Sequence, residues 1–364
     1  MNVRLWLVIS VALLFAVGLL MIFNTSAAEI LDRSLPISTH TALLKQLIHG
    51  IVGIVLGFFV YSQGAQRWLS WSYPLTIVCT LLLILVFIPS IGQNINGSRR
   101  WIGFAGFSFQ PSECAKILIP LSFIRWVVSQ EMITFKKFVK IFAFLSIPMA
   151  LILLEPDTGT TVILFLTLLA LCVLSRIPWT YWSLPLLILC ACGVIAASQM
   201  PHVRDRFHIY LHPELDLRGK GHQPYQAKIA AGSGQLWGRG LGESLQKLNY
   251  LPEARSDYIA AIYAEECGFI GICVLIALYL SLAYAGVFIA FHTSDRASFL
   301  IAATLTFLMS IQSFINLGVV SGLLPSKGMT LPFFSQGGSS LIVNFIALFL
   351  LLDLSRRKRD LSLK

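Results

Sequence analysis

The chain has 364 residues, of which 56% are apolar and only 12% charged, about half the charged share of an average soluble domain. Its formal net charge is +10. On a chain this apolar, a basic excess belongs to cytoplasmic loops rather than to a nucleic-acid surface, so nucleic-acid binding and a string of soluble domains are both set aside.

Taken in chain order, the apolar runs mark membrane helices. Leu5 to Phe23, Pro74 to Ile91, Trp182 to Met200 and Cys267 to Phe291 carry no Asp, Glu, Lys or Arg, and each reaches the ~18 residues that cross a bilayer as a helix. With the weaker apolar stretches included, helices are predicted at 5–23, 43–62, 74–91, 112–130, 139–154, 160–175, 182–200, 258–290, 298–321 and 339–354. The expected fold is an all-α polytopic membrane protein of about ten transmembrane helices, a single domain over 1–364. Arg4, the first apolar run and Ser26-Ala27-Ala28 together look like a secretion signal. The run is longer than the ~7–15 residues of a signal core, however, and it reads as an uncleaved first helix.

Lysine and arginine set the orientation. With the N-terminus inside, the inner segments hold Arg4, Arg67, Arg125, Lys136, Lys137, Lys140, Arg176, Arg296, Arg356, Arg357, Lys358, Arg359 and Lys364. The short outer segments hold only Arg33, Lys45, Arg99, Arg100, Lys116 and Lys327. Both termini are therefore expected on the cytoplasmic side. The connection 201–257, between helices seven and eight, becomes a large extracytoplasmic loop. Within it, 232–242 is dense in glycine, which signals turns or close backbone approach, and no Walker-type phosphate loop is present. The seven cysteines sit mostly in apolar runs without CxxC spacing and read as small hydrophobes.

Four outward segments carry nearly all the unusual polar residues. The first runs from Ser98-Arg99-Arg100 to Gln110-Pro111-Ser112-Glu113 and Lys116; Glu113 and Lys116 form either an ion pair in the first helical turns or part of a cationic ledge for an anionic headgroup. The second, Glu155-Pro156-Asp157-Thr158-Gly159-Thr160, offers Asp157 as a helix cap or as a site carboxylate. The third, Leu251-Pro252-Glu253-Ala254-Arg255-Ser256-Asp257, leads into a helix bearing Glu265 and Glu266; carboxylates at membrane depth are functional candidates, yet Ser256 or Asp257 would also serve as a plain N-cap. If that helix starts early, Glu253, Asp257 and Glu265 share a face. The fourth, Lys327 to Ser340, ends in Gly337-Gly338-Ser339-Ser340, which opens the last helix and either holds an anion on backbone amides or is a simple turn. Cations, carboxylates and amides at one mouth suit a lipid-linked phosphate substrate.

The order and wording of these segments resemble the SEDS family (shape, elongation, division and sporulation) of bacterial peptidoglycan polymerases, across essentially the whole chain. The stretches that carry the resemblance are Gln110 to Glu113, Pro156-Asp157 with Gly159-Thr160, Leu251-Pro252-Glu253 with Asp257, and Leu331-Pro332 through Ser340. The stretches Leu236 to Leu248 and Lys327 to Pro332 are most similar to the cell-division branch. Three positions depart from the pattern: Glu155 where the family usually has Gln, Arg255-Ser256 in place of His-Thr, and Gln336 in place of Tyr.

The resemblance implies a glycosyltransferase that polymerises lipid II, a disaccharide-pentapeptide on undecaprenyl diphosphate, at the septal bacterial inner membrane. The 4-hydroxyl of an acceptor GlcNAc would attack the anomeric carbon of MurNAc and displace the lipid diphosphate, with Asp257 as the catalytic carboxylate. Arg100, Lys116, Lys247, Arg255 and Lys327 are the candidate diphosphate contacts, supported by Glu113, Asp157, Glu253 and Ser339. No metal ligand set is predicted, and a divalent cation is the one cofactor left open. The implied partners are a class B penicillin-binding protein, a transpeptidase, and other divisome membrane proteins. Two rivals use the same mouth without bond formation: a lipid II flippase and a non-catalytic scaffold that recruits the transpeptidase.

Overall fold

The computed structural model describes residues 3–32, 38–95, 98–104, 107–183, 187, 210, 216, 221–247, 251, 254–325 and 328–356. Among them run ten helices: α1 (Val3–Asp32), α2 (Thr41–Gln63), α3 (Ala65–Val86), α4 (Pro111–Ser129), α5 (Phe135–Leu154), α6 (Thr158–Leu174), α7 (His222–Ser233), α8 (Ile259–Phe291), α9 (Arg296–Val320) and α10 (Gly338–Leu354). Six of these (α1, α2, α3, α5, α8 and α9) are long and apolar enough to cross a membrane, while α6 and α10 are shorter apolar helices. The expected span at 182–200 lies outside the described residues apart from Trp182, Ser183 and Leu187.

Which helix carries charge follows from where it sits. α4 contains Glu113, Lys116 and Arg125 and packs against α3, α5, α6, α9 and α10, so its polar groups meet protein rather than lipid. α2 turns Ile51, Val55 and Phe58 outward, each about 60% exposed, a stripe at helical spacing suited to lipid contact.

Three boundaries differ from expectation. α1 continues through Ser26-Ala27-Ala28 to Asp32. α3 begins at Ala65 rather than at Pro74, which lies inside it. Proline lacks the N–H that would bond the carbonyl four residues earlier, and the guanidinium of Arg125 on α4 donates to that carbonyl, Ser70 O, instead. The third difference is an addition to the helical plan: 92–109 holds an antiparallel sheet of β1 (Gly92–Ile95), β2 (Ser98–Phe104) and β3 (Phe107–Phe109), in that order. Gly92 faces Ile102, and Ile102 faces Phe109. The sheet carries Arg100 to the turn between α5 and α6.

The two ends of the bundle differ. At one end Arg4 donates to Ser355 O at 2.7 Å, the Ala65 amide donates to Asp353 Oδ2 at 2.8 Å, and Arg296 donates to Ser175 O at 2.9 Å. These contacts tie the start of α1, the α2–α3 junction, the α8–α9 junction, the end of α6 and the end of α10. The N-terminus of α4, the C-terminus of α5 and the N-termini of α6, α8 and α10 gather at the other end, with the candidate residues.

Part of the expected loop is folded. α7 packs on α8 and α9, with Ala227 and Ala230 fully buried.

Candidate functional site

The polar segments meet. Pro111 occupies the first position of α4, where its missing N–H costs nothing. The Gln110 amide donates to Ser339 Oγ at 2.9 Å, and its side chain donates to Asp157 Oδ2 at 3.3 Å, as does Ser112 Oγ. Asp157 also caps α6, with Oδ1 accepting from the Thr160 amide at 3.2 Å. Lys116 pairs with Glu113 at 2.7 Å and donates to Gln312 Oε1 at 2.9 Å. Gln312 passes the connection to Thr330 O at 2.7 Å, and the Thr330 hydroxyl donates to Ser340 Oγ at 2.8 Å. One network thus joins α4, α6, α9, the 328–340 segment and α10.

Asp257 stands just before α8, which begins at Ile259. The cap position is Tyr258, and no side chain caps this helix. Both the simple capping role and the early helix start that would place Asp257 and Glu265 on one face are therefore corrected. The Asp257 segment is held by its backbone: Asn316 of α9 donates to Asp257 O at 2.9 Å and to Met329 O at 2.6 Å, and the Gln336 amide donates to Arg255 O at 2.9 Å. A Cβ added at Gly328 would stand 2.9 Å from Asp257 Oδ2, so the 328–331 segment passes close beside this carboxylate. Arg255 reaches Glu29 of α1 at 3.3 Å and is 40% exposed.

The glycine-rich segment has a definite partner. α8 is broken at Gly268 (φ 66°, ψ −165°), which would orphan carbonyls before the break and amides after it. The Arg239 and Gly240 amides donate to Glu265 O and Glu266 O at 3.0 and 3.1 Å, while Phe269 and Ile270 donate to Gln235 O and Leu236 O at 2.9 and 3.2 Å. Segment 235–240 therefore splices the broken helix. A Cβ at Gly238 (φ 82°) would lie 2.1 Å from Glu266 O, so only glycine permits this approach.

Glu265 and Glu266, just before the break, anchor the same segment. Glu265 accepts from Ser244 Oγ at 2.6 Å and from the Leu245 and Gln246 amides at 3.2 and 3.3 Å. Glu266 pairs with Lys247 at 2.9 Å and accepts from Asn24 of α1 at 2.6 and 2.8 Å. The Lys247 ammonium also donates to Asn24 Oδ1 at 2.7 Å and to Gly242 O. With three acceptors for three protons, Lys247 is a buried tie between α1, the loop and α8.

The candidate cations thus divide. Lys116 and Lys247, 5% and 7% exposed, have their protons directed at protein groups. Arg100 latches the α5–α6 turn, donating to Glu155 O and Pro156 O, both at 2.9 Å. Arg255 is more open than the two lysines, its side chain 40% exposed, and Lys327 and Glu253 lie outside the described residues. Beside the latch, Glu155 is 1% exposed, and among the described residues neither of its carboxylate oxygens has a hydrogen-bond partner. Burial, reinforced by Asp157 and opposed by Arg100, pushes this carboxyl up to about 8. Gln312 and Asn316 were not among the sequence candidates; their signal is a pair of amides four residues apart on an otherwise apolar helix. Among the described residues, no three His, Cys, Asp or Glu side chains gather as a metal site.

A family profile described as a cell cycle protein, covering FtsW, RodA and SpoVE, matches residues 4–360. The chain is 37% identical to a probable peptidoglycan glycosyltransferase FtsW of Legionella pneumophila, over 98% of this chain and 92% of that protein. It is 36% identical to stage V sporulation protein E of Bacillus subtilis, over 97% of each. Among solved structures, it superposes on a chain of a peptidoglycan synthase complex, studied for how polymerisation and crosslinking are coordinated, with TM-score 0.78, 26% identity and 96% coverage of both chains. It also superposes on the rod shape determining protein RodA of Thermus thermophilus with TM-score 0.70, 26% identity and 97% coverage of both. With a matching profile over nearly its whole length and relatives above one-third identity, this chain belongs to the FtsW, RodA and SpoVE family of cell cycle proteins, the SEDS family.

Proposed function

We propose that the chain is a peptidoglycan glycosyltransferase that polymerises lipid II into glycan strands for the septal wall, with Asp257 as general base. The observation that carries this reading is the polar network that fixes the Asp257 segment against α9 and the 328–340 segment at one end of an otherwise apolar bundle. Asp257 takes the proton of the acceptor 4-hydroxyl as that oxygen attacks the anomeric carbon, and undecaprenyl diphosphate departs. Arg255 and Lys327 are assigned to the leaving diphosphate, where positive charge lowers the barrier. Arg100, Lys116, Lys247, Glu113, Asp157 and Ser339 position the surrounding segments, and Glu253, four residues before Asp257 in sequence, is assigned a supporting role.

In this reading the chain is a single domain of ten spans in the bacterial inner membrane, N-in and C-in, with 201–257 outside. It works beside a class B penicillin-binding protein that crosslinks the product. The 37% identity to a probable FtsW supports the septal assignment.

The rival reading, a lipid II flippase, draws on the broken helix α8, since transporters use such breaks to hold cargo. Here the amides and carbonyls freed by the break are occupied by segment 235–240, which favours chemistry at the mouth over transport through the core.

The test is glycan synthesis from labelled lipid II by purified wild type and Asp257→Asn. Asn keeps the size of Asp, and since no side chain caps α8 the substitution removes no helix cap; thermal unfolding of both proteins checks that the fold is kept. Loss of general-base assistance is worth ~10²–10⁴-fold in rate, with lipid II binding retained. Polymerisation by Asp257→Asn near the wild-type rate refutes the assignment.

A further inference from the structure

A second site lies at the opposite end of α4 from Gln110. A cavity of about 440 Å³ opens between α3, α4 and α5. Its wall is aromatic, formed by Tyr73, Trp126 and Phe144, and its rim carries Gln130, Lys137 and Lys140. Tyr73 and Phe144 meet edge to face, and the Arg125 guanidinium stands 4.6 Å over the Tyr73 ring.

The electrostatics of the rim are unfavourable as they stand. Lys136, Lys137 and Lys140 occupy the first two turns of α5, where the helix dipole is positive and repels cations, and the first turn has no acidic residue. Lys136 and Lys140 make no ion pair or hydrogen bond among the described residues, and Lys137 makes only a long bond to Met132 O at 3.4 Å. Glu131, exposed in the preceding connection, is the nearest acidic residue in sequence. Arg125 does not relieve them, since it is a cation itself and is bound to Ser70 O. An anion between Lys137 and Lys140 would satisfy the two ammoniums and the helix N-terminus together, while an apolar tail would fill the aromatic wall below. Few ligands combine both.

We propose that this cavity is a binding site for one anionic phospholipid, its phosphate on Lys137 and Lys140 and an acyl chain against Tyr73, Trp126 and Phe144. The charge complementarity of the rim and the apolar wall beneath it select a lipid over a soluble anion or an uncharged helix. The site is separate from the glycosyltransferase centre and does not rest on the activity assigned to it.

Native mass spectrometry of the purified full chain tests the proposal, with added phosphatidylglycerol, phosphatidylcholine or inorganic phosphate. One phosphatidylglycerol should persist at energies that strip phosphatidylcholine, and inorganic phosphate should not displace it. Removing both charges in Lys137→Gln/Lys140→Gln should weaken phosphatidylglycerol binding about 30-fold, two lysine–anion contacts, with Lys136→Gln as the unaffected control. Ile77→Trp, which fills the cavity and keeps both charges, should abolish retention while glycan synthesis continues. Equal retention of the two lipids, no effect of either cavity variant, or recovery of a protein helix at this face in place of lipid would each overturn the proposal.

Discussion

Glu155→Gln removes the charge from a buried carboxyl that, among the described residues, has no hydrogen bond to either oxygen. In the folded protein Glu155 titrates near 8, against an ordinary value of 4.5, chiefly because burial opposes its charge. Below pH 4.5 the group is protonated in both folded and unfolded chains and contributes nothing to the pH dependence. Between 4.5 and 8 the unfolded chain gives up the proton and the folded chain keeps it, so stability falls as pH rises, and the full penalty is reached above 8. The shift, in which the Arg100 charge is already counted, corresponds to a ceiling of about 5 kcal/mol; local relaxation and water penetration lower this to about 2 kcal/mol. Gln has the same shape and no charge at any pH. The variant should therefore exceed wild type by less than about 1 kcal/mol at pH 5 and by about 2 kcal/mol at pH 8.5. Thermal unfolding of the purified protein at pH 5, 7 and 8.5 reads this directly. A stability difference that stays constant across that range refutes the reasoning, because a packing effect alone does not titrate.

The splice at α8 predicts that Gly238→Ala costs ~3 kcal/mol or more, or prevents accumulation, whereas Gly232→Ala, where a Cβ meets nothing within 4 Å, is close to neutral in thermal unfolding. Lys247→Met and Glu266→Gln should each destabilise by ~3 kcal/mol, with the double variant losing clearly less than the sum; strict additivity would show that the pair is not a unit. A reporter fused after Lys364 should be active only in the cytoplasm and one inserted near Gly221 only outside, and a periplasmic C-terminus would defeat the topology.

Helices were legible because long apolar runs have few alternatives. α2, α5, α6, α8, α9 and α10 begin and end close to the predicted limits. α3 was cut short because Pro74 reads locally as a helix start, and the compensating Arg125 lies on another helix, 51 residues further on. The small sheet was missed because strands as short as Phe107–Phe109 carry almost no alternation to read. At the site, the four polar segments were visible as breaks in apolar sequence, and the close approach expected of the glycines is present. Their partner was not visible, since nothing local marks Gly268 as the point where α8 opens. The protein partners of Lys116 and Lys247 were hidden for the same reason: Gln312 and Asn24 are far away in sequence.

That division between occupied and open charge has a physical logic. An ionic group in an apolar bundle is tolerable only when paired, and losing one partner leaves a costly orphan. Glu113 with Lys116, and Glu266 with Lys247, meet that demand inside the bundle and so lock α4 to α9 and the glycine-rich segment to α1 and α8. Charges spent in this way cannot also follow a substrate through a reaction in which charge moves from an acceptor oxygen to a departing diphosphate. Residues that serve such a substrate must stay near water until it arrives, and Arg255, paired with the partly exposed Glu29 at 3.3 Å, meets that condition where Lys116 and Lys247 do not. Arg255 is therefore the cation that should exchange a protein carboxylate for the diphosphate, two residues from Asp257, the carboxylate proposed as the general base.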